Sequence, residues 1–226
     1  GFLVASGASD FVIEISKVVA GRIRGGAAFV AVISSALTGT ISGSAVANTA
    51  STGVITIPLM KSNGFRPKFA AGVEAAASTG GQLMPPIMGA GAFVMASYTS
   101  IPYSTIVSVS IIPAFLYFMS VAFIVRIEAV KFQVGDDLDL QVNYGKLISC
   151  GLTFVLPLTV MIWMLMTGVT PSFAASWAIA ALIVVSWSTT IAARFIDKAS
   201  FEPIAMGPKK ITEALLIGIK SSIMTG

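Results

Sequence analysis

The sequence has no histidine, a single cysteine and few charges: 14 Lys plus Arg and 10 Asp plus Glu, or 11% of 226 residues, against roughly 25% in an ordinary soluble domain. Each shortage excludes a class of function. Without histidine, a His-dependent hydrolase or a zinc site has no anchor. One cysteine, Cys150, cannot build a disulfide framework. The scarcity of charge, with 55% hydrophobic residues and a mean hydropathy of +0.89, excludes a water-soluble globule. The net charge of +4 and pI near 9.3 are not a nucleic-acid signature, because the basic residues sit singly or in pairs at the ends of apolar runs. The chain opens at Gly1 within apolar sequence, has no initiator Met and shows no signal-peptide pattern, so a fragment of a longer membrane protein is expected.

What is present is long uncharged sequence. The runs 27–60, 75–125 and 147–193 lack any charge, and each exceeds the ~20 residues that cross a bilayer as a helix. The expected fold is all-α and polytopic in the membrane.

Residues 1–9 read as the tail of an upstream helix. Asp10 is placed to cap the next one, in which Phe11, Val12, Ile15, Val18 and Val19 recur at helical spacing apart from Glu14, Lys17 and Arg22. That pattern suits an amphipathic helix at the interface, with the frayed end of a spanning helix as the alternative. The run 27–60 is too long for one straight crossing: as a helix it would measure roughly 50 Å, against a hydrocarbon core of ~30 Å. Its middle, Thr38 to Asn48, is rich in Gly, Ser and Thr, which favours a re-entrant hairpin turning at Ser42-Gly43-Ser44. The run 69–100 is interrupted by Gly80-Gly81-Gln82-Leu83-Met84-Pro85-Pro86. Two glycines and two adjacent prolines predict a discontinuous helix, half before Gly80 and half after Pro86, rather than a simple proline kink.

A further crossing is expected over 104–125, a loop over 126–146 that contains Asp136, Asp137 and Asp139, and crossings over 147–166 and 172–193. A surface connection follows at 194–210, and 211–224 opens a new segment. With the hairpin re-entrant, Arg22, Arg24, Lys61, Arg66, Lys68, Arg126, Lys131, Lys146, Arg194, Lys198, Lys209 and Lys210 share one side, and the opposite turns near 100–103 and 168–171 carry no charge. The positive-inside rule makes that side cytoplasmic.

Enzymatic chemistry is not expected, since no catalytic residue set can be assembled and no Asp pair lies within the spanning segments. A hairpin tip facing an unwound helix is instead an ion and substrate site of the kind built in secondary transporters, where freed carbonyls and hydroxyls replace the water around a small cation. The candidate substrate contacts are Ser44, Asn48, Ser78, Thr79 and Gln82. The candidate Na⁺ ligands are Ser42, Ser44, Asn48, Gly80, Gly81 and Met84, several of them through the backbone. The competing reading is that Gly and Ser serve close helix packing. Glu74, the one acid inside an apolar run, is expected to pair with Lys68 or Arg66, or else to titrate during coupling. Trp163, Trp177 and Trp187 suit packing or interfacial anchoring.

Three motifs, Arg24-Gly-Gly26, Ser42-Gly-Ser-Ala-Val-Ala-Asn48 with Gly53 and Pro58, and Glu74-Ala-Ala-Ala-Ser-Thr-Gly-Gly-Gln-Leu-Met-Pro-Pro86, together resemble the large permease subunit of TRAP (tripartite ATP-independent periplasmic) transporters. The likeness is greatest to the fused permeases that work with TAXI-type binding proteins. The resemblance implies an elevator-type importer of the bacterial or archaeal inner membrane, coupled to Na⁺ and without an organic cofactor. It would take small organic anions such as carboxylates from a periplasmic binding protein, beside a small membrane subunit or its fused equivalent. It further implies this domain map: 1–26, a membrane-helix end and an interfacial helix; 27–60, the re-entrant hairpin; 67–131, the broken helix and next crossing of the transport domain; 147–197, two scaffold helices; 209–226, the start of an inverted second repeat whose hairpin and broken helix are missing here. The alternatives are an elevator-type anion carrier that needs no binding protein, and a channel-like or structural membrane subunit.

Overall fold

The computed structural model describes residues 8–20, 23–134 and 144–192, with Thr212 and Leu216 besides. Among these residues every regular element is helical: α1 (Ala8–Ala20), α2 (Gly26–Ser42), α3 (Ala45–Ser62), α4 (Pro67–Gly81), α5 (Ala90–Thr99), α6 (Tyr103–Phe132), α7 (Tyr144–Met166) and α8 (Pro171–Ala192). The chain divides into two compact units, residues 15–142 and residues 1–14 with 143–226.

In the first unit, α2 and α3 form a helical hairpin. Gly43 adopts φ 61°, a left-handed conformation that only glycine takes without strain, and its N–H donates to the Gly39 carbonyl. Ser44 then turns the chain into α3 as its N-cap, its Oγ accepting from the Ala47 N–H at 3.4 Å. Arg66 and Pro67 start α4, with proline at a position whose N–H has no helical partner anyway. The helices α2, α3 and α4 pack mutually. Alanines make this close: Ala27, Ala28 and Ala31 of α2 and Ala70 and Ala77 of α4 are wholly buried, and Val125 and Ala129 of α6 close the cluster.

The helix α4 ends after Gly81, not before Gly80, and α5 begins at Ala90 rather than directly after Pro86. The physical reason lies downstream of the glycines. Pro85 and Pro86 supply no N–H, and each disfavours helical dihedrals in the residue before it, so the ladder fails at Met84. The intervening segment is still ordered by hydrogen bonds. The Gly89 N–H donates to the Gln82 carbonyl at 2.8 Å, and the Tyr103 hydroxyl lies 3.0 Å from the Pro86 carbonyl oxygen and 2.5 Å from that of Ile87.

The helix α6 is longer than the expected crossing. Its 30 residues span about 45 Å, and residues 126–132, expected in a loop, continue the helix. Ala129 is buried, the Arg126 guanidinium donates to the Arg24 carbonyl at 3.2 Å, and the Arg66 guanidinium stacks 3.9 Å from the Phe132 ring centre. Among the described residues α6 is the one helix that is long and apolar enough to cross a membrane, while Gly26–Ser42, Phe154–Met166 and Phe173–Ser188 are shorter apolar stretches. Its Ile112, Phe115, Phe123 and Ile127 are more than 60% exposed, a face suited to lipid.

In the second unit α7 and α8 pack side by side through the turn at Gly168, φ 83°. The rings of Phe11 in α1 and Phe154 meet at a tilt of 38°, with centres 5.1 Å apart. Trp163, Trp177 and Trp187 are each at least half exposed, which favours anchoring over packing. Asp10 lies inside α1 rather than at its cap, since the helix starts at Ala8. Val18 and Val19 are exposed while Phe11, Val12, Ile13 and Glu14 are buried, so the buried face of α1 is not its most apolar stripe. The expectations for 1–7, 135–143 and 193–210 lie outside the described residues, as does the segment 211–224 apart from Thr212 and Leu216.

Candidate functional site

The hairpin tip and the helix break meet. A Cβ on Gly43 would stand 2.9 Å from the Met88 carbonyl oxygen and 3.4 Å from Gly89 Cα, and one on Gly89 would stand 3.2 Å from the Gly43 carbonyl oxygen. One turn deeper, Gly39 and Gly81 face each other so closely that a Cβ on either would fall within 2.6 Å of the other's Cα. This glycine-on-glycine contact brings the end of α4 against the hairpin.

The polar groups at this junction are few. Ser42 is exposed, its hydroxyl 3.4 Å from the Ser44 carbonyl, and Ser44 is half-buried as the cap of α3. Asn48 is wholly buried. Its Nδ2 donates to the Ser35 carbonyl at 2.7 Å and lies beside both Gly39 and Gly81, whereas its Oδ1 has no hydrogen-bond partner. A buried amide oxygen left without a donor costs on the order of 1–3 kcal/mol. Among the described residues no group of His, Cys, Asp and Glu could hold a metal ion, and the oxygens at this junction are neutral amide, hydroxyl and carbonyl groups.

The other expected site residues are distributed more widely. Gly80 and Gly81 are buried and serve packing: a Cβ on Gly80 would overlap the Tyr117 ring at 2.3 Å. The carbonyls of Gly80 and Gly81 accept the Leu83 and Met84 N–H groups at 2.9 and 3.2 Å. Met84 is half-buried in the break. Gln82 is exposed, and the exposed Thr79 bonds back to the Ala75 carbonyl at 2.8 Å. Ser78 belongs to another constellation. It is wholly buried and donates to Glu74 Oε1 at 3.2 Å.

Glu74 itself departs from the expected ion pair. Its carboxylate is wholly buried and surrounded by hydroxyls. Ser35 of α2 donates to Oε1 at 2.8 Å, Thr52 and Thr56 of α3 stand 2.5 Å from Oε1 and Oε2, and Ser78 completes the shell. Among the described residues no base pairs with it; Lys68 is exposed and Arg66 stacks on Phe132. Sequence reasoning missed Ser35, Thr52 and Thr56. The one trace available was the i, i+4 spacing of Asn48, Thr52 and Thr56 along one helix face.

The family described as "Tripartite ATP-independent periplasmic transporter, DctM component" matches residues 1–224. Among curated relatives, a putative TRAP transporter large permease protein of Haemophilus influenzae is 35% identical over 95 residues, 42% of this chain and 22% of that protein. The C4-dicarboxylate TRAP transporter large permease protein DctM of Pseudomonas aeruginosa is 34% identical over 100 residues, 44% of this chain and 23% of that protein. The matched segment thus spans less than a quarter of either relative. No solved structure matches. With the match running over nearly the whole sequence, the chain belongs to the DctM component family of tripartite ATP-independent periplasmic transporters.

Proposed function

We propose that the chain forms the ion- and substrate-binding part of a Na⁺-coupled importer of small organic anions, delivered by a periplasmic binding protein. The family is one of transporter permeases, not enzymes, and of multi-pass proteins of the inner membrane. The observation that carries the finer reading is the seating of the Gly43 turn on Met88 and Gly89, with the unpartnered Asn48 Oδ1 buried one turn below. In this reading 27–60 is re-entrant, Na⁺ takes Asn48 Oδ1 with hydroxyl or carbonyl oxygens of Ser42, Ser44, Gly80, Gly81 and Met84, and the anion meets Ser44, Thr79 and Gln82 nearby. Broken helices suit such duty because their ends expose unpaired backbone dipoles without buried formal charge.

The partners proposed are a small membrane subunit or its fused equivalent, and a binding protein of TAXI type. That type rests on the motif resemblance alone. The proposed anion class is carboxylate, the chemistry that the printed name of the Pseudomonas aeruginosa relative carries. The test is uptake of a carboxylate panel, succinate included, by the complete transporter in proteoliposomes. Uptake driven by a Na⁺ gradient, requiring the binding protein and reduced at least tenfold by Asn48→Ala, is expected. Uptake that ignores the binding protein points to a different elevator-type carrier, and passive conductance indifferent to Na⁺ points to a channel-like subunit.

A further inference from the structure

Glu74 has no part in the cation site proposed above, yet its buried carboxyl group is ringed by hydroxyls. Four side chains from three helices converge on it: Ser35 from the first arm of the hairpin, Thr52 and Thr56 from the second, and Ser78 from its own helix. The hydroxyls have more acceptors than protons. Thr52 Oγ1 lies 2.5 Å from Glu74 Oε1, 2.8 Å from the Asn48 carbonyl and 3.2 Å from Ser35 Oγ. Thr56 Oγ1 lies 2.5 Å from Glu74 Oε2 and 3.0 Å from the Thr52 carbonyl. Each threonine carries one proton. With Glu74 ionised, its oxygens claim those protons, and the Asn48 and Thr52 carbonyls face hydroxyl oxygens with no proton between.

One added proton removes the shortage at Thr56 and leaves only the one at Thr52. Placed on Oε2, it is donated to Thr56 Oγ1, and the Thr56 hydroxyl turns to the Thr52 carbonyl, a bond within α3. Ser35 and Ser78 keep donating to Oε1, and Thr52 is free to serve either Oε1 or the Asn48 carbonyl. No contact is lost. We therefore propose that Glu74, Ser35, Thr52, Thr56 and Ser78 form a reversible proton-binding site that joins both arms of the hairpin to α4. The proton comes from water and returns to it. The carboxylate is wholly buried, so exchange requires the arms and α4 to part, and that links the proton to their movement.

The electrostatic setting is sparse. The helix α2 contributes no ionisable side chain, α3 only Lys61 and α4 otherwise only Lys68, both exposed. The helix α6 brings Tyr117, whose hydroxyl donates to the Ala76 carbonyl at 2.9 Å, and Arg126, Glu128 and Lys131 toward its C-terminal end, of which Arg126 bonds to the Arg24 carbonyl. The use of the site in transport rests on the proposed function, but proton binding does not. Infrared difference spectra of the purified full-length permease, recorded across a pH titration, test it directly. A carboxylic-acid carbonyl band that rises on acidification, is lost in Glu74→Gln and is displaced in frequency in Thr56→Val is expected. No Glu74-dependent band anywhere in the folded range, or one that does not change with pH, overturns the proposal. Should Glu74→Gln fail to fold, Thr56→Val decides: a rising band that moves supports the site, and bands identical to those of the unaltered protein sink it.

Discussion

At the scale of single residues, the distinctions that matter are among glycines of similar sequence context. Gly39 and Gly81 face one another across α2 and α4, and a methyl group on either meets backbone rather than a flexible side chain. Gly39→Ala and Gly81→Ala are therefore expected to cost about 1–3 kcal/mol each, read as a lowered thermal unfolding midpoint. Gly72 in α4 and Gly91 in α5 have open space where a methyl group would stand, with nothing within 4 Å, so the same change there is expected to stabilise by about 0.5–1 kcal/mol through helix propensity. Equal effects at all four positions would refute the packing role. None of this was legible in the sequence, because Gly-Gly before Pro-Pro reads as a break, while the structure makes the pair the last turn of a helix. Asn48 was legible: an amide in the middle of a long apolar run has to be satisfied by something. The hydroxyl shell of Glu74 was not, because Ser35 lies 39 residues from the acid it serves and no local pattern reports that.

Among elements, the segment between α4 and α5 depends on α6 to hold its shape. The Tyr103 hydroxyl, at the first residue of α6, reaches the Pro86 and Ile87 carbonyls. Tyr103→Phe is expected to cost about 0.5–1.5 kcal/mol and to raise deuterium uptake at Ile87, Met88 and Gly89. Unchanged exchange there would mean that the break keeps its form without the tether. The hairpin turn is a second such dependence. Gly43→Ala places a side chain at φ 61° and 2.9 Å from the Met88 carbonyl, so it is expected to reduce uptake by the complete transporter at least tenfold, with Gly72→Ala as the unaffected control. The hairpin and the break were readable from composition, since Gly, Ser and Pro punctuate helices by local chemistry. The end of α6 was not, because Arg126 and Lys131 resemble loop residues until Arg24, Arg66 and Phe132 are seen to engage that end of the helix.

For the whole molecule, the one-sided placement of Lys and Arg makes a topological prediction. In a Cys150→Ser background, Ile23→Cys and Ser62→Cys are expected to react with an impermeant thiol reagent from the cytoplasmic side, and Ser100→Cys and Thr170→Cys from the opposite side. Labelling of positions 23 and 62 from opposite sides would make 27–60 a full crossing and end the re-entrant reading. Exposure of Ile112, Phe115, Phe123 and Ile127 on α6 agrees with a lipid-facing surface, because soluble monomers rarely leave so continuous an apolar face in water.

By itself the sequence determined the solvent, the helical class and the two interruptions. Each follows from local chemistry: too few charges for water, runs too long for one crossing, and residues that cannot continue a helical ladder. Only the tertiary structure decided what the interruptions face and which polar groups share a shell. Glycine contact, the orphaned Asn48 oxygen and the hydroxyls around Glu74 all arise where separate helices touch, and the spacing of residues along one chain does not encode the distance between helices.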